Sequence, residues 1–342
     1  MKNRILLKYH SFFGILGGAF LLVLGITGTI LVFNQEIDAA EFSKYEIESI
    51  PSERNIDKTL NTIQKEYKDW DTRLITFEPN KTLVFNLRSP NARKYVFVHP
   101  SSGKIIKEID ANSTITKWLL KLHYSLHAGV VGRFLILFAG IAFLLSIITG
   151  TILYRKVFWK TLAFKTKLKW SNKKNRYSVI HRYVGVWALL LNSVIVISGV
   201  FLAYKVATAG LKSPSEAKTP LIETSTEKLL AEIKNDYPDY KPTYLRFPTS
   251  EKGKIVVYGI FKNDPFYFSE FYNKIEADYK TGKIVTSVKI AEASIGTKLE
   301  SMITPMHFGQ FGGLPIKILY ALVGLSGPFL SVTGFIIWLK RK

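Results

Sequence analysis

Six histidines, His10, His99, His123, His127, His181 and His307, are the residues of this sequence best suited to chemistry. A neutral imidazole is the commonest metal ligand, and its charge changes near pH 7. The chain has no cysteine. That excludes disulfide staples, zinc–thiolate sites, iron–sulfur clusters and covalent haem attachment through a C-x-x-C-H run. A metal or haem here must be held mainly by histidine or by oxygen ligands. Other chemistries lack their residues: neither a Ser-His-Asp grouping nor a His-x-x-Glu cluster for a di-metal hydrolase is evident. The run GILGGAF at 14–20 opens an apolar stretch with no strand before it, so it is not a dinucleotide fingerprint.

Five of the six histidines sit at or near the ends of long apolar blocks, which run Phe12–Phe33, Gly132–Tyr154, Tyr183–Tyr204 and Leu314–Trp338. At about 1.5 Å per residue each block can cross a hydrocarbon core of roughly 30 Å, so the spacing predicts four membrane helices and argues against a soluble enzyme. The first block is longer than a signal-peptide core and no clear small-x-small cleavage site follows before Asn34, so it too is read as a membrane helix. Segments 1–11, 155–182 and 339–342 hold 16 of the 47 basic residues and no acid. Basic loops stay in the cytoplasm, which places both termini and the central loop there and the polar stretches 34–120 and 205–305 outside. Topology thus accounts for the net charge of +21 without a nucleic-acid partner.

The chain reads as an internal duplication. An ungapped overlay of 10–33 on 181–204 superposes His10 on His181, Gly14 on Gly185 and Thr27-Gly28 on Ser198-Gly199. A second overlay superposes His123 on His307, Gly129 on Gly313, Arg133 on Lys317 and Thr149-Gly150 on Thr333-Gly334. Repeats of this kind often place sites between their halves. Both polar stretches predict a small α+β unit. In the first, Asn55–Trp70 has helical spacing and Leu83–Leu87 and Tyr95–Val98 are β-rich; in the second, Thr226–Tyr237 is helical and Lys254–Phe261, Phe266–Ala277 and Gly282–Val288 are strands. A hairpin closes each, VHPSSGK at 98–104 and ADYKTGK at 277–283.

Those hairpins resemble the end of PepSY domains, and LHYSLHAGVVGR at 122–133 with the later Thr-Gly pair resembles the PepSY-associated transmembrane helix family, over nearly the whole chain. The resemblance implies an α-helical membrane protein of two repeats, each with two transmembrane helices and a small α+β PepSY-like extracytoplasmic domain, in the bacterial inner membrane. The expected divisions are 1–33 (first helix), 34–120 (first PepSY-like domain), 121–155 (external His segment and second helix) and 156–180 (basic loop). They continue with 181–204 (third helix), 205–305 (second PepSY-like domain) and 306–342 (external His segment and fourth helix). Family members include proteins that resemble siderophore reductases, in which membrane histidines bind b-type haem. The implied activity is electron transfer across the membrane to a ferric siderophore or another ferric chelate, with a quinol or a cytoplasmic reductase as donor.

On that reading the repeat pairs His10 with His181 at the cytoplasmic end and His123 with His307 at the external end, as axial ligands of two non-covalent b haems. The alternative for each is an anchor at the membrane boundary. His127, four residues after His123 and expected on nearly the same helix face, is a propionate contact, a proton carrier or an alternate ligand; its repeat counterpart is Phe311. Arg133 and Lys317 either neutralise haem propionates or snorkel to headgroups. Gly14, Gly17, Gly18, Gly25, Gly28, Gly140 and Gly150 admit either a porphyrin or a neighbouring helix, and Thr27, Thr149, Ser198 and Thr333 bond within their own helices or across to another. Trp118, Tyr124, Phe308 and Phe311 line a haem edge or form an aromatic belt. His99 is read as a turn residue. The rival function is a haem-free PepSY module that binds or inhibits an envelope peptide or protease; a transporter is weaker, because the apolar blocks hold essentially no charge at mid-membrane.

Overall fold

The computed structural model describes residues 2–47, 54–78, 81–166, 173–212 and 217–340. Lys167, Lys169, Arg341 and Lys342 of the basic segments lie outside them. In chain order the elements are α1 (Lys2–Leu31), α2 (Asn34–Phe42), α3 (Ile56–Glu66), β1 (Asp71–Thr76), β2 (Leu83–Arg88), β3 (Arg93–Val98), β4 (Ile105–Asp110), α4 (Ile115–Ser125), α5 (Gly129–Tyr154) and α6 (Phe158–Leu162). They continue with α7 (Lys173–Trp187), α8 (Leu189–Ala209), α9 (Thr226–Asp236), β5 (Tyr240–Arg246), β6 (Ile255–Phe261), β7 (Lys274–Ala277), β8 (Ile284–Val288), α10 (Ile295–Phe308) and α11 (Gly313–Leu339). These elements form two units. One takes Met1–Gln35, Trp118–Lys212 and Ile303–Lys342; the other takes Glu36–Lys117 and Ser213–Met302.

The first unit is helical. Four of its helices are long and apolar enough to cross a membrane: Asn3–Leu31, Gly129–Tyr154, Leu189–Ala209 and Gly313–Leu339. They close a ring in which α1 packs on α5 and α11, α5 on α8, and α11 on α7. The third span departs from the expected Tyr183–Tyr204. It begins at Leu189, after a break at Ala188 that ends α7, and runs on to Ala209. Helices meet closely where side chains are absent: a Cβ on Gly25 would fall 2.3 Å from Pro328 Cδ, and one on Gly17 would touch Ala139 and Ala142. A buried hydrogen bond from Asn192 Nδ2 to Ser326 Oγ (2.9 Å) ties α8 to α11.

The second unit corrects the expectation of two separate small domains. Its strands form one antiparallel sheet of eight in the order β4-β3-β2-β1-β5-β6-β7-β8. The seam is β1 against β5, with Arg73 opposite Arg246 and Leu74 opposite Leu245. Pairing there satisfies backbone groups that each four-stranded half would otherwise leave on an open edge. Inward residues alternate as a strand requires. Leu74, Phe85, Val96, Leu245 and Val257 meet Ile56, Leu60 and Ile63 of α3 and Leu229 and Ile233 of α9 in one core.

The two helices cap each other. Asp57 of α3 accepts from Thr226 N (2.6 Å) and Ser225 Oγ at the start of α9, while Glu227 of α9 accepts from Ile56 N (3.0 Å) and pairs with Arg54. Expected Phe266–Ala277 is a strand only from Lys274, since Glu270–Tyr272 is a short helical turn. His99 serves its hairpin turn: Nδ1 accepts from Ser101 N and Ser102 N (both 3.3 Å), as Asp278 Oδ1 accepts from Lys280 N (3.0 Å) and Thr281 N (2.8 Å) in the other hairpin.

Candidate functional site

The helical unit brings four of the histidines together two by two. His10 on α1 and His181 on α7 approach with ring centroids 6.3 Å apart and planes at 78°. His123 on α4 and His307 on α10 do the same at 6.3 Å and 57°.

Each imidazole is held by a hydroxyl–glycine dipeptide on a neighbouring helix. His123 Nδ1 lies 2.9 Å from Thr27 Oγ1, and His181 Nδ1 lies 2.9 Å from Thr333 Oγ1. His10 Nδ1 meets Ser146 O at 3.0 Å and Thr149 Oγ1 at 3.3 Å; His307 Nδ1 meets Ile195 O at 2.9 Å and Ser198 Oγ at 3.3 Å. All four hydroxyls already donate to a carbonyl one turn back, at Val23, Leu145, Val194 and Phe329. They can therefore only accept from the imidazole. Nδ1 carries the proton in every ring, and in the neutral tautomer the lone pair is on Nε2. The glycine that follows each hydroxyl lets the ring lie against the backbone. A Cβ would meet the imidazole Cε1 at 3.2 Å on Gly28, 3.0 Å on Gly150, 2.7 Å on Gly199 and 3.4 Å on Gly334.

A cavity of about 450 Å³ opens beside His10 and His181, lined by Gly14, Gly18, Gly185 and Arg182 among largely apolar neighbours. Among the described residues Arg182 Nε is buried without a hydrogen-bond partner, and its guanidinium lies 5.1 Å from the Tyr154 ring. Sequence reasoning counted Arg182 only as part of the basic loop. Its position directly after His181 was the available signal.

A family model described as the PepSY-associated TM region matches residues 7–341, essentially the whole chain. The chain belongs to this family. It is a membrane protein of the PepSY type. No curated protein matches the sequence.

Of the remaining predicted site residues, Phe308 is placed beside a paired histidine, and the others have the surroundings that follow. Arg133 Nε is buried without a partner, its Nη1 donates to Val206 O at 3.4 Å, and its guanidinium lies 5.9 Å from the Tyr124 ring. Lys317 is buried and donates to Gln35 Oε1 at 3.4 Å. Phe308 lies beside His307 at 5.6 Å, and Phe311 packs on Tyr320 at 5.7 Å. His127 does not share a face with His123. Helix α4 ends at Ser125, and Leu126 and His127 turn through positive φ (51° and 56°), which carries His127 out to pack, tilted by 39°, on Trp118 at 5.1 Å. Regular helical spacing was the wrong premise there.

The His123–His307 pair also lies further from the helix ends than the sequence suggests. His123 reaches Thr27 rather than the end of α1. Thr27 is about 25 Å from His10 along a regular helix, against roughly 35 Å from His10 to Phe33.

The chemistry of this donor set fits haem iron. Two Nε2 atoms each about 2 Å from one metal put the imidazole centroids roughly 6.3 Å apart. Both observed spacings have that value. Small residues flank the cavity beside His10 and His181, and among the described residues the buried Nε atoms of Arg182 and Arg133 have no hydrogen-bond partner, as donors to propionates would. Among the described residues no group of three or more His, Asp or Glu is placed to hold a bare metal ion.

Proposed function

We propose that this chain is a haem b-containing oxidoreductase of the bacterial cytoplasmic membrane that passes electrons outward to a ferric siderophore or another ferric chelate, releasing Fe(II). The observation that carries the reading is the pair of imidazoles 6.3 Å apart at each end of one apolar helical bundle. Two non-covalent haems would supply one-electron carriers at two depths of the membrane.

The residues divide the work. His10 with His181, and His123 with His307, present Nε2 as ligands. Thr149, Thr333, Thr27 and Ser198 hold the Nδ1 protons and so fix ring orientation and basicity. Arg182 and Arg133, with Lys317, supply cations for propionates. The apolar helices keep water from the imidazoles. Each ferric ion takes one electron, so a quinol, which yields two electrons and two protons, serves two chelates; a cytoplasmic reductase docking on the basic segments is the other donor. Reduction loosens the chelate because Fe(II) is less highly charged and softer than Fe(III), which weakens its hold on oxygen ligands. The basic segments argue for termini in the cytoplasm and the sheet unit outside.

The test is a reduced-minus-oxidised visible spectrum of the detergent-purified protein, with haem quantified per chain. Bis-histidine b-type bands at about two haems per chain, reoxidised anaerobically by a ferric siderophore, support the reading. Absence of haem after expression with ample haem supply sinks it. A second reading would then lead, in which the sheet unit binds an envelope peptide: β4 and β8 are the outer strands of the sheet and offer backbone edges to an added strand.

A further inference from the structure

The face of the sheet turned away from α3 and α9 packs Val84, Tyr95 and Phe97 against Phe42 and Tyr45 over one part and carries charge over the rest. Strand register places Arg246 opposite Arg73, and Arg73 opposite Asn86, which is opposite Tyr95. The adjoining row places Asp71 opposite Arg88 and Arg88 opposite Arg93. Lys117 reaches over the Tyr95 ring, its Nζ 6.0 Å from the centroid. Five cations thus share this face with the carboxylates of Asp71 and Asp38.

Asp71 is committed to Arg73 (2.6 Å) and Arg246 (3.3 Å), and Asp38 accepts from Thr116 Oγ1 at 2.5 Å. Among the described residues no carboxylate forms an ion pair with Arg88, Arg93 or Lys117. Among the described residues the one hydrogen bond of the Arg88 side chain is long, 3.4 Å, to Asn86. Like charges directly opposite on a sheet are destabilising. Burial, then the charges of Arg73 and Arg93, push the Arg88 guanidinium down to about 10, and burial also lowers Lys117. Beside the cations stand Tyr244, which accepts from Arg73 Nη1 at 3.3 Å, Tyr258 and the exposed Phe271, with ring centroids 5.4–5.9 Å apart.

A half-buried patch with excess guanidinium and a flanking aromatic cluster suits an oxyanion that accepts paired N–H bonds and presents a ring to stack. We propose that this face binds an anionic, oxygen-rich ferric chelate, one whose charge sits on carboxylate or catecholate oxygens, through Arg88, Arg93 and Lys117. The preference for an oxyanion is read from the sheet alone; that the oxyanion is a ferric chelate rests on the reductase reading.

The experiment uses the full chain in detergent and redox-inert gallium(III), so that binding is read without electron transfer. The probes are a trianionic gallium tris-catecholate, a neutral gallium tris-hydroxamate, and inorganic phosphate. The catecholate complex should bind and raise the melting temperature, the other two far less, and added salt should weaken it. R88Q, R93Q and K117Q should each weaken catecholate binding about tenfold, with exposed K283Q as the unaffected control. Without ligand, R88Q should melt at the same temperature as the parent or higher, because it relieves repulsion; an arginine with a merely structural role would lower it.

Equal binding of the catecholate and hydroxamate complexes, or full affinity in all three variants, overturns the proposal. So does catecholate-independent binding to phosphatidylglycerol nanodiscs that the same variants abolish, which assigns the cations to lipid headgroups. Catecholate binding in a protein that holds no haem supports the site while counting against the reductase reading.

Discussion

His123 Nδ1 donates to Thr27 Oγ1 at 2.9 Å, and Thr27 spends its own proton on Val23 O at 2.7 Å. The hydroxyl is thereby an acceptor only, and it is satisfied only by an imidazole that carries a proton on Nδ1. T27V keeps the shape and removes the acceptor. We expect roughly tenfold weaker haem binding at that pair and a rise in its midpoint potential, because an imidazole that loses its Nδ1 partner donates less charge to ferric iron. Redox titration of the variant against the parent checks both; an unchanged potential would separate the hydroxyl from the ligand.

The glycines give a graded test. A Cβ would stand 2.7 Å from the His307 ring on Gly199, 3.0 Å from His10 on Gly150 and 3.4 Å from His181 on Gly334. G199A should displace its imidazole and lower haem content most, G150A less, and G334A should be tolerated. Haem per chain across the three, at equal expression, reads the order directly.

Each pair should fail as a unit. Alanine at His123 or at His307 should remove about one haem per chain, and the double variant should be no worse than either single, since one iron needs both ligands. The same holds for His10 and His181. H127A should keep both haems, because that ring packs on Trp118 outside the helix.

Asp71 predicts an acid sensitivity of the sheet. Burial pushes its carboxyl up, but the hydrogen bond and charge of Arg73, with Arg246, more than reverse this and hold it below the usual carboxylate range. A folded-state value below the unfolded one gives stability that is fully present above the unfolded value of 3.8 and is lost as pH falls through the folded one. D71N should cost about 2 kcal/mol at neutral pH, and its deficit should shrink below about pH 4. Thermal melts of both proteins from pH 7 to 3 check the convergence.

The reciprocal caps predict a further loss. D57A leaves Thr226 N and Ser225 Oγ of α9 without their acceptor, and E227A does the same to Ile56 N of α3. Each should destabilise the sheet unit by about 1 kcal/mol, readable in chemical denaturation.

Much of this architecture was legible because membrane helices write long patterns. Four apolar blocks of the right length announced the spans, and two ungapped overlays set His10 with His181 and His123 with His307, the same partners the helices bring together. The hydroxyl–glycine pairs were visible in register too, but nothing in one chain says that Thr27-Gly28 lies under His123, a contact between residues 96 positions apart. His127 misled because backbone handedness at Leu126 and His127 leaves no mark that a four-residue spacing can reveal. The joined sheet was not legible because β1 turns Thr72 as well as Leu74 to the core and β5 carries Pro242 and a register shift, so their alternation is faint, and because pairing across the seam is decided by geometry far along the chain. Arg182 hid among the basic residues that fix topology, where each cation seems to have the same purpose.

The β1–β5 seam also sets a timetable for synthesis. Arg73 leaves the ribosome roughly 170 residues before its partner Arg246, an interval on the order of ten to thirty seconds at ordinary elongation rates. Throughout that time the first four strands expose a bare edge, while two more apolar segments emerge behind them. A chain halted before Tyr240 should therefore be cut by proteases at the first sheet, whereas the complete chain resists, and a cell making this protein must shelter that edge until the second half arrives.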